Sequence, residues 1–204
     1  MKILALELSS ARGSLAWRDD ALPASVATCV QDWPNDRKNS GTFFRNLAEV
    51  KQQFGVPEKI VAGLGPGSYA GTRIAISTAI GLQLASAAQL AGYPSICAIE
   101  TDAAEYCVIG DARRQSFFFA RIRDRDVVEG PDLLVESGLR AKIDNLACPI
   151  FATEELPQFA RVEQRYPSAK VLARLAAEAN RRFVLPPLEP MYLREPHITQ
   201  PKSR

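Results

Sequence analysis

The run Gly63-Leu64-Gly65-Pro66-Gly67-Ser68-Tyr69-Ala70-Gly71-Thr72-Arg73 constrains this chain more than any other segment. It is entered from the apolar Ile60-Val61-Ala62 and left by an uncharged stretch from Ile74 to Gly92, so it reads as strand, tight turn and helix. Glycine admits positive φ and lets the backbone approach a partner closely, while the first N–H groups of a helix carry partial positive charge. Such a turn is able to hold an anion. The spacing is nevertheless neither that of a P-loop nor a clean G-x-G-x-x-G, and Pro66 removes one donor N–H.

Composition narrows the classes. The 204 residues are 47% hydrophobic and 24% charged, ordinary values for one or two small globular domains. A net charge of +2 is too balanced for electrostatics to be the main grip on a nucleic-acid surface. Cys29, Cys97, Cys107 and Cys148 form no C-x-x-C pair and lie in or beside apolar stretches, which reads as four separate core thiols of a protein in a reducing cytoplasm. The opening Met1-Lys2-Ile3-Leu4-Ala5-Leu6-Glu7 lacks the length and cleavage site of a signal peptide, and the 74–92 stretch is too polar for a membrane span.

Periodicity predicts a meander of three strands at 2–8, 14–18 and 25–30, with Arg12-Gly13 as a turn and 32–39 as a loop. A helix capped by Ser40 follows, with Phe43, Leu47, Val50 and Phe54 on its inner face. Then come a strand at 59–62, the glycine turn and a helix over 71–91 that stops at Gly92-Tyr93-Pro94. Beyond it the pattern predicts a short strand at 95–99, a helical turn at 100–106, strands from 107 and at 117–123, an irregular region over 124–150, and a last helix capped by Ser168. That helix places Val171, Leu172, Leu175, Ala176 and Ala179 on its inner stripe. No repeat of 20 to 50 residues is visible.

Three segments, Lys2 to Ser10, Gly63 to Ile74 and Ile109-Gly110-Asp111-Ala112-Arg113-Arg114-Gln115, resemble in order and spacing the TsaB (YeaZ) family of bacterial tRNA-modification proteins. Tyr192-Leu193-Arg194 is similar to that family's C-terminal signature. The resemblance spans nearly the whole chain, and the glycine run is its specific part. It implies an α/β chain with the actin, sugar-kinase and Hsp70-like fold: an N-terminal lobe over 1–100 and a smaller, reduced lobe over 101–204, whose last segment is free to return to the first. It also implies a role without a reaction, that of a non-catalytic partner. Family members bind and activate TsaD, which transfers threonylcarbamoyl to adenosine 37 of tRNA; the TsaE ATPase joins the pair. No cofactor is implied, tRNA is met only through the complex, and a homodimer forms through the same helical surface.

The residues fit a non-catalytic role. A single histidine, His197, precludes a two-histidine metal helix. Leu6-Glu7-Leu8-Ser9-Ser10 offers a longer carboxylate and an aliphatic Leu8 where ATPases of this fold use aspartate and hydroxyls. Ala112, Arg113 and Arg114 after Asp111 obstruct a second phosphate loop. Glu7, Gly65, Gly67, Ser68, Arg73 and Asp111 therefore remain as vestigial cleft candidates. Their plainer roles are a strand-ending Glu7 paired to a cation across the cleft, an Asp111–Arg113 salt bridge in a turn, and an N-capping Ser68. Arg73 suits either an ion pair between the lobes or an anion contact. Phe117, Phe118 and Phe119 read as strand core on both faces.

Helix 71–91 carries the other candidate surface. Ile76, Ile80, Leu84, Ala87 and Leu90 form an aliphatic stripe suited to cover the sheet, while Ile74, Ser77, Thr78, Gly81, Ala85 and Ala88 form a stripe of mostly small residues. Small side chains let a second helix approach to about 8 Å. The resemblance makes this stripe, with Phe44, Leu47 and Lys51 of the preceding helix, the surface for TsaD; helix 42–54 or the last helix covering it within the monomer is the alternative. Rival functions are a nucleotide-dependent phosphotransferase or hydrolase working in the cleft, a peptidase, which lacks a Ser-His pair, and an interaction protein with an unrelated partner. Asn39-Ser40 replaces the family's usual histidine-serine, and 124–165 is shorter than its counterpart.

Overall fold

The computed structural model describes residues 1–22, 28–35 and 40–194. Strands β1 (Lys2–Glu7), β2 (Arg12–Asp19) and β3 (Thr28–Pro34) lead to helix α1 (Ser40–Phe54), strand β4 (Lys59–Gly63), helix α2 (Tyr69–Ser86) and strand β5 (Gln89–Tyr93). A 3-10 turn, Ser95–Ala98, joins this half to β6 (Glu105–Asp111), β7 (Ser116–Arg123), β8 (Asp126–Val135), α3 (Glu136–Asp144), β9 (Ile150–Ala152), β10 (Val162–Gln164) and α4 (Ala169–Ala176). The first sheet has the order β3-β2-β1-β4-β5 and the second β10-β9-β6-β7-β8. In both, the first strand of the half is central, the next two add antiparallel on one side, and the last two add parallel on the other. The same topology used twice is the actin, sugar-kinase and Hsp70-like arrangement.

Period-two alternation along the strands separates the cores. Ile3, Ala5, Ala16 and Val61 of the first sheet share one core with Tyr106, Val108, Ala120 and Phe151 of the second, and with Val171, Leu172 and Leu175 of α4. Leu4, Leu6, Leu15 and Ile60 face the opposite way, under Phe43, Leu47 and Val50 of α1 and Ala75, Ile76 and Ala79 of α2. Cys107, Ile109, Phe119 and Ile150 pack beneath Leu139 and Ile143 of α3. Although α4 follows the second sheet in sequence, it lies on the first: Ser14 Oγ accepts from the Ala169 amide at 2.8 Å, and Lys59 Nζ caps the Ala176 carbonyl at 2.9 Å. Ser168 caps α4 as the sequence predicts, but Ala179 is exposed beyond the helix end.

Several boundaries differ from the sequence reading. Arg12-Gly13 belongs to β2, because Ser10 Oγ closes the preceding turn by donating to the Arg12 carbonyl at 2.9 Å. Gly13 is needed inside the strand: a Cβ there would meet the Trp33 indole at 2.7 Å. Asp32 and Trp33 are strand rather than loop, since pairing with β2 continues to Pro34; the 25–27 part of the predicted third strand lies outside the described residues. Helix α2 ends at Ser86 rather than at 91. Ala87 turns into the left-handed region with φ 54°, and Leu90 and Ala91 become strand β5, paired parallel to Ile60 and Val61. Residues 95–98 form the 3-10 turn instead of a strand, with Ile99 making only an isolated bridge to Pro167; Glu105 and Tyr106 are already strand, and 124–150 holds β8, α3 and the start of β9.

Candidate functional site

A cleft of about 790 Å³ opens between the two sheets. Equivalent turns of the two halves form its walls: Ser9-Ser10-Ala11 after β1 faces Asp111-Ala112-Arg113 after β6, and the glycine turn after β4 faces 153–156 after β9. The C-terminal stretch 190–193 forms its rim, tied down where the Met191 amide donates to the Leu64 carbonyl at 2.7 Å.

The glycines of the turn fit backbone against backbone. A Cβ on Gly67 would overlap the Ser9 carbonyl, one on Gly71 the Leu8 carbonyl, and one on Gly63 the Glu7 carboxylate. The turn's donors are also largely used. Ser68 N–H bonds the Ser9 carbonyl at 2.6 Å, Gly71 N–H bonds the Ser68 hydroxyl at 3.2 Å as a helix cap, and Thr72 N–H bonds the Ser68 carbonyl at 3.0 Å. Gly65 N–H goes to Ser95 Oγ at 2.9 Å. These groups hold α2 to the turn after β1 and leave few N–H groups for a phosphate. Asn35, assigned from sequence only to a loop, completes the joint by donating to the Leu8 and Ser10 carbonyls at 3.2 and 2.9 Å.

Among the described residues Glu7 does not pair with a cation across the cleft. It is fully buried, its Oε1 accepts from the Ser9 amide at 2.6 Å, and its Oε2 has no partner among the described residues. Burial pushes its carboxyl pKa up, opposed by the neighbouring Ser9 and Ser95 groups. Glu7 is not among the residues that line the cleft, and its Oε2 lies against Gly63, so close that a Cβ there would overlap it. Arg73 makes no ion pair between the lobes among the described residues. Its guanidinium stacks 3.3 Å from the Tyr69 ring centroid and 4.9 Å from that of Tyr192, and it donates to the Tyr69 carbonyl and the Tyr192 hydroxyl. Asp111 does hold Arg113, at 3.1 Å, in an exposed turn, and its amide donates to Glu154 Oε1. Gly65 and Gly67 lie in the joint with positive φ. Phe117, Phe118 and Phe119 are buried on both faces of β7, with Phe118 reaching the cleft. His197 lies outside the described residues, and Ser68 has no histidine near it among those described.

The outer face of α2 differs from the predicted pair of stripes. Thr72, Ala75, Ile76 and Ala79 cover the sheet, whereas Ile80 is 37% and Leu84 83% exposed. Ser77, Gly81 and Ala85 lie on the same open side, with Ile74 and Thr78 half-buried at its margin. From α1, Phe44 is 50% exposed and Lys51 is exposed, but Leu47 is buried in the core. Ala88 falls beyond the helix and is buried against the sheet, so it leaves the candidate surface. Sequence reasoning missed Ile80 and Leu84 because a helix apolar on all sides gives no phase for its inner face.

A Pseudomonas aeruginosa protein described as similar to peptidase YeaZ has the same architecture, with a TM-score of 0.74 at 21% identity, over 95% of this chain and 99% of that one. YeaZ from Pseudomonas aeruginosa gives 0.71, also at 21%, over 94% and 99%. The chain has the YeaZ fold. No protein-family model and no curated protein matches the sequence. No helix among the described residues is long and apolar enough to cross a membrane.

Proposed function

We propose that this chain is a TsaB-type, non-catalytic subunit that binds and activates TsaD in threonylcarbamoyl transfer to adenosine 37 of tRNA, in the cytoplasm. One observation carries the reading: the outer face of α2 leaves Leu84 and Ile80 exposed beside Ser77, Gly81 and Ala85, with Phe44 of α1 exposed as well. Large aliphatics next to small residues suit close packing by helices of a partner. The YeaZ fold and the consumed donors of the glycine turn support docking over catalysis. TsaE acts with the pair, tRNA is met through the complex, and the same face serves for self-association when TsaD is absent.

Gly81 has open space around a Cβ, so Gly81→Glu and Thr78→Arg place charge on this face while sparing the core. Both variants are expected to melt like the parent and to lose TsaD in co-purification; retention of TsaD by both would refute the proposal. Reconstituted transfer by TsaD and TsaE is expected to need this chain. The cleft, with Asp111, Glu154 and an unpartnered Ser9 Oγ, favours a second reading as a nucleotide-dependent phosphotransferase or hydrolase. Titration with ATP and magnesium separates the two, since only the second reading expects tight binding and turnover by the isolated chain.

A further inference from the structure

Two of the four cysteines that lie far apart in sequence come together in the second sheet. Cys107 on β6 and Cys148 just before β9 place their sulfurs 3.6 Å apart, a thiol–thiol contact. The two strands are parallel neighbours, with Cys107 opposite Ile150 and its amide bonded to the Pro149 carbonyl at 2.9 Å. Cys148 and Ile150 have the same parity, so both side chains lie on the α3 face with Cys107. The pair is asymmetric in access. Cys107 is buried, whereas Cys148 is half-buried and open to small solutes. Cys29 and Cys97 have no such neighbour among the described residues.

The geometry points to a reversible Cys107–Cys148 disulfide, a modification site separate from the docking face on α2. Formation needs the sulfurs to approach by about 1.5 Å to the bonding distance of ~2.05 Å, a movement open to Cys148 because it precedes its strand. With hydrogen peroxide as oxidant, the Cys148 thiolate attacks one peroxide oxygen, forming a sulfenic acid and releasing hydroxide. The Cys107 sulfur then attacks Cys148 Sγ, the S–O bond breaks, and the hydroxyl leaves as water with the Cys107 proton. Two thiols and one peroxide become one disulfide and two waters. The order follows from access and from proton affinity. Burial, followed by the neighbouring Cys148, pushes the Cys107 thiol up to about 12, so Cys107 is not the first thiolate.

The test is thiol counting and peptide mapping on the full chain before and after mild peroxide. Digestion at glutamate separates Cys97 from Cys107 by cutting at Glu100 and Glu105. The expected result is a fall from four accessible thiols to two in denaturant, a single cross-linked peptide pair containing Cys107 and Cys148, and full recovery with dithiothreitol. Cys148→Ser is expected to keep its three remaining thiols under the same treatment, and Cys29→Ser to form the cross-link as the parent does. Cross-links between molecules, a bond involving Cys97, or Cys148 carried on to sulfinic acid with Cys107 still free would each overturn the proposal.

Discussion

In the first sheet the turn after β1 is buried beneath the start of α2, whereas its counterpart after β6 stands at the surface. Ser9 and Ser10 are buried, and Gly67 and Gly71 press onto the carbonyls of Ser9 and Leu8. Across the cleft, Arg113, Arg114 and Gln115 all have positive φ in an exposed turn, where the Arg194 side chain donates to the Arg113 carbonyl at 3.3 Å. The strand order is the same on both sides. One topology has thus been filled in two ways, with a close backbone joint in one half and an open, locally strained turn in the other. The asymmetry extends outward: the first sheet carries α1 and α2 on its outer face and the second carries α3, with 153–161 between β9 and β10 forming no helix. The exposed face of α2 proposed for docking lies on the half whose helix is set by glycines.

The strongest way to break this contrast is Gly67→Ala. Its Cβ meets backbone that has no room to retreat, and the expected loss is about 3 kcal/mol in urea unfolding. A variant as stable as the parent would mean that the joint is loose. Between the halves, Arg181 bonds the Asp124 carbonyl at 2.8 Å, Asp126 at 3.1 Å and Glu178 at 2.8 Å, and reaches the Tyr93 hydroxyl. Arg181→Ala is expected to cost about 2 kcal/mol, because it leaves several acceptors unpaired at the contact between the sheets. Urea unfolding of this variant also reports cooperativity: a biphasic transition would show the halves separating.

Glu7→Gln probes the floor of the joint. The folded-state pKa lies above the free value of 4.5, so the contribution of Glu7 is complete below that value and falls as pH rises through the raised one. The variant should flatten this slope and gain about 1 kcal/mol near neutrality, because its amide needs no deprotonation and supplies donors toward Ser9 or Ser95. Urea midpoints across the pH range decide it; an unchanged slope would mean that Glu7 titrates normally. In the opposite turn Arg114→Gly should stabilise by about 1 kcal/mol, since a left-handed residue loses its Cβ penalty. Gly81→Ala, on the open face of α2, should add about 0.5 kcal/mol to the melting free energy. Calorimetry of the last two, set beside Gly67→Ala, tests whether position, and not residue type, decides what a Cβ does here.

Much of the fold was legible. The apolar run of β1, the phases of α1 and α4, and the Ser68 and Ser168 caps are local properties written into a few consecutive residues. The misread segments share a different cause. From Ile74 to Gly92 the chain is uncharged and, apart from Gln83 and Gln89, apolar or small, so period cannot distinguish helix from a strand buried on both faces; pairing of Leu90 and Ala91 with β4 makes that choice. β8 looked irregular because it is an edge strand with acidic and exposed positions and a register shift opposite 119–122. At the site, Asp111 and Ser68 keep the local contacts their neighbours suggest, whereas Glu7 and Arg73 add to their local contacts with Ser9 and Tyr69 surroundings supplied by distant residues such as Gly63 and Tyr192.

The sequence by itself determined that a strand, a glycine joint and a helix follow one another, and that a single histidine leaves no pair for metal. Only the tertiary structure decided what the glycines touch, where α2 stops, which of its sides stays open and that Cys107 meets Cys148. Glycine spacing and side-chain period are set by bonds along the chain. Burial, the loss of a partner for Glu7 and the exposure of Leu84 depend on surfaces brought together from segments tens of residues apart.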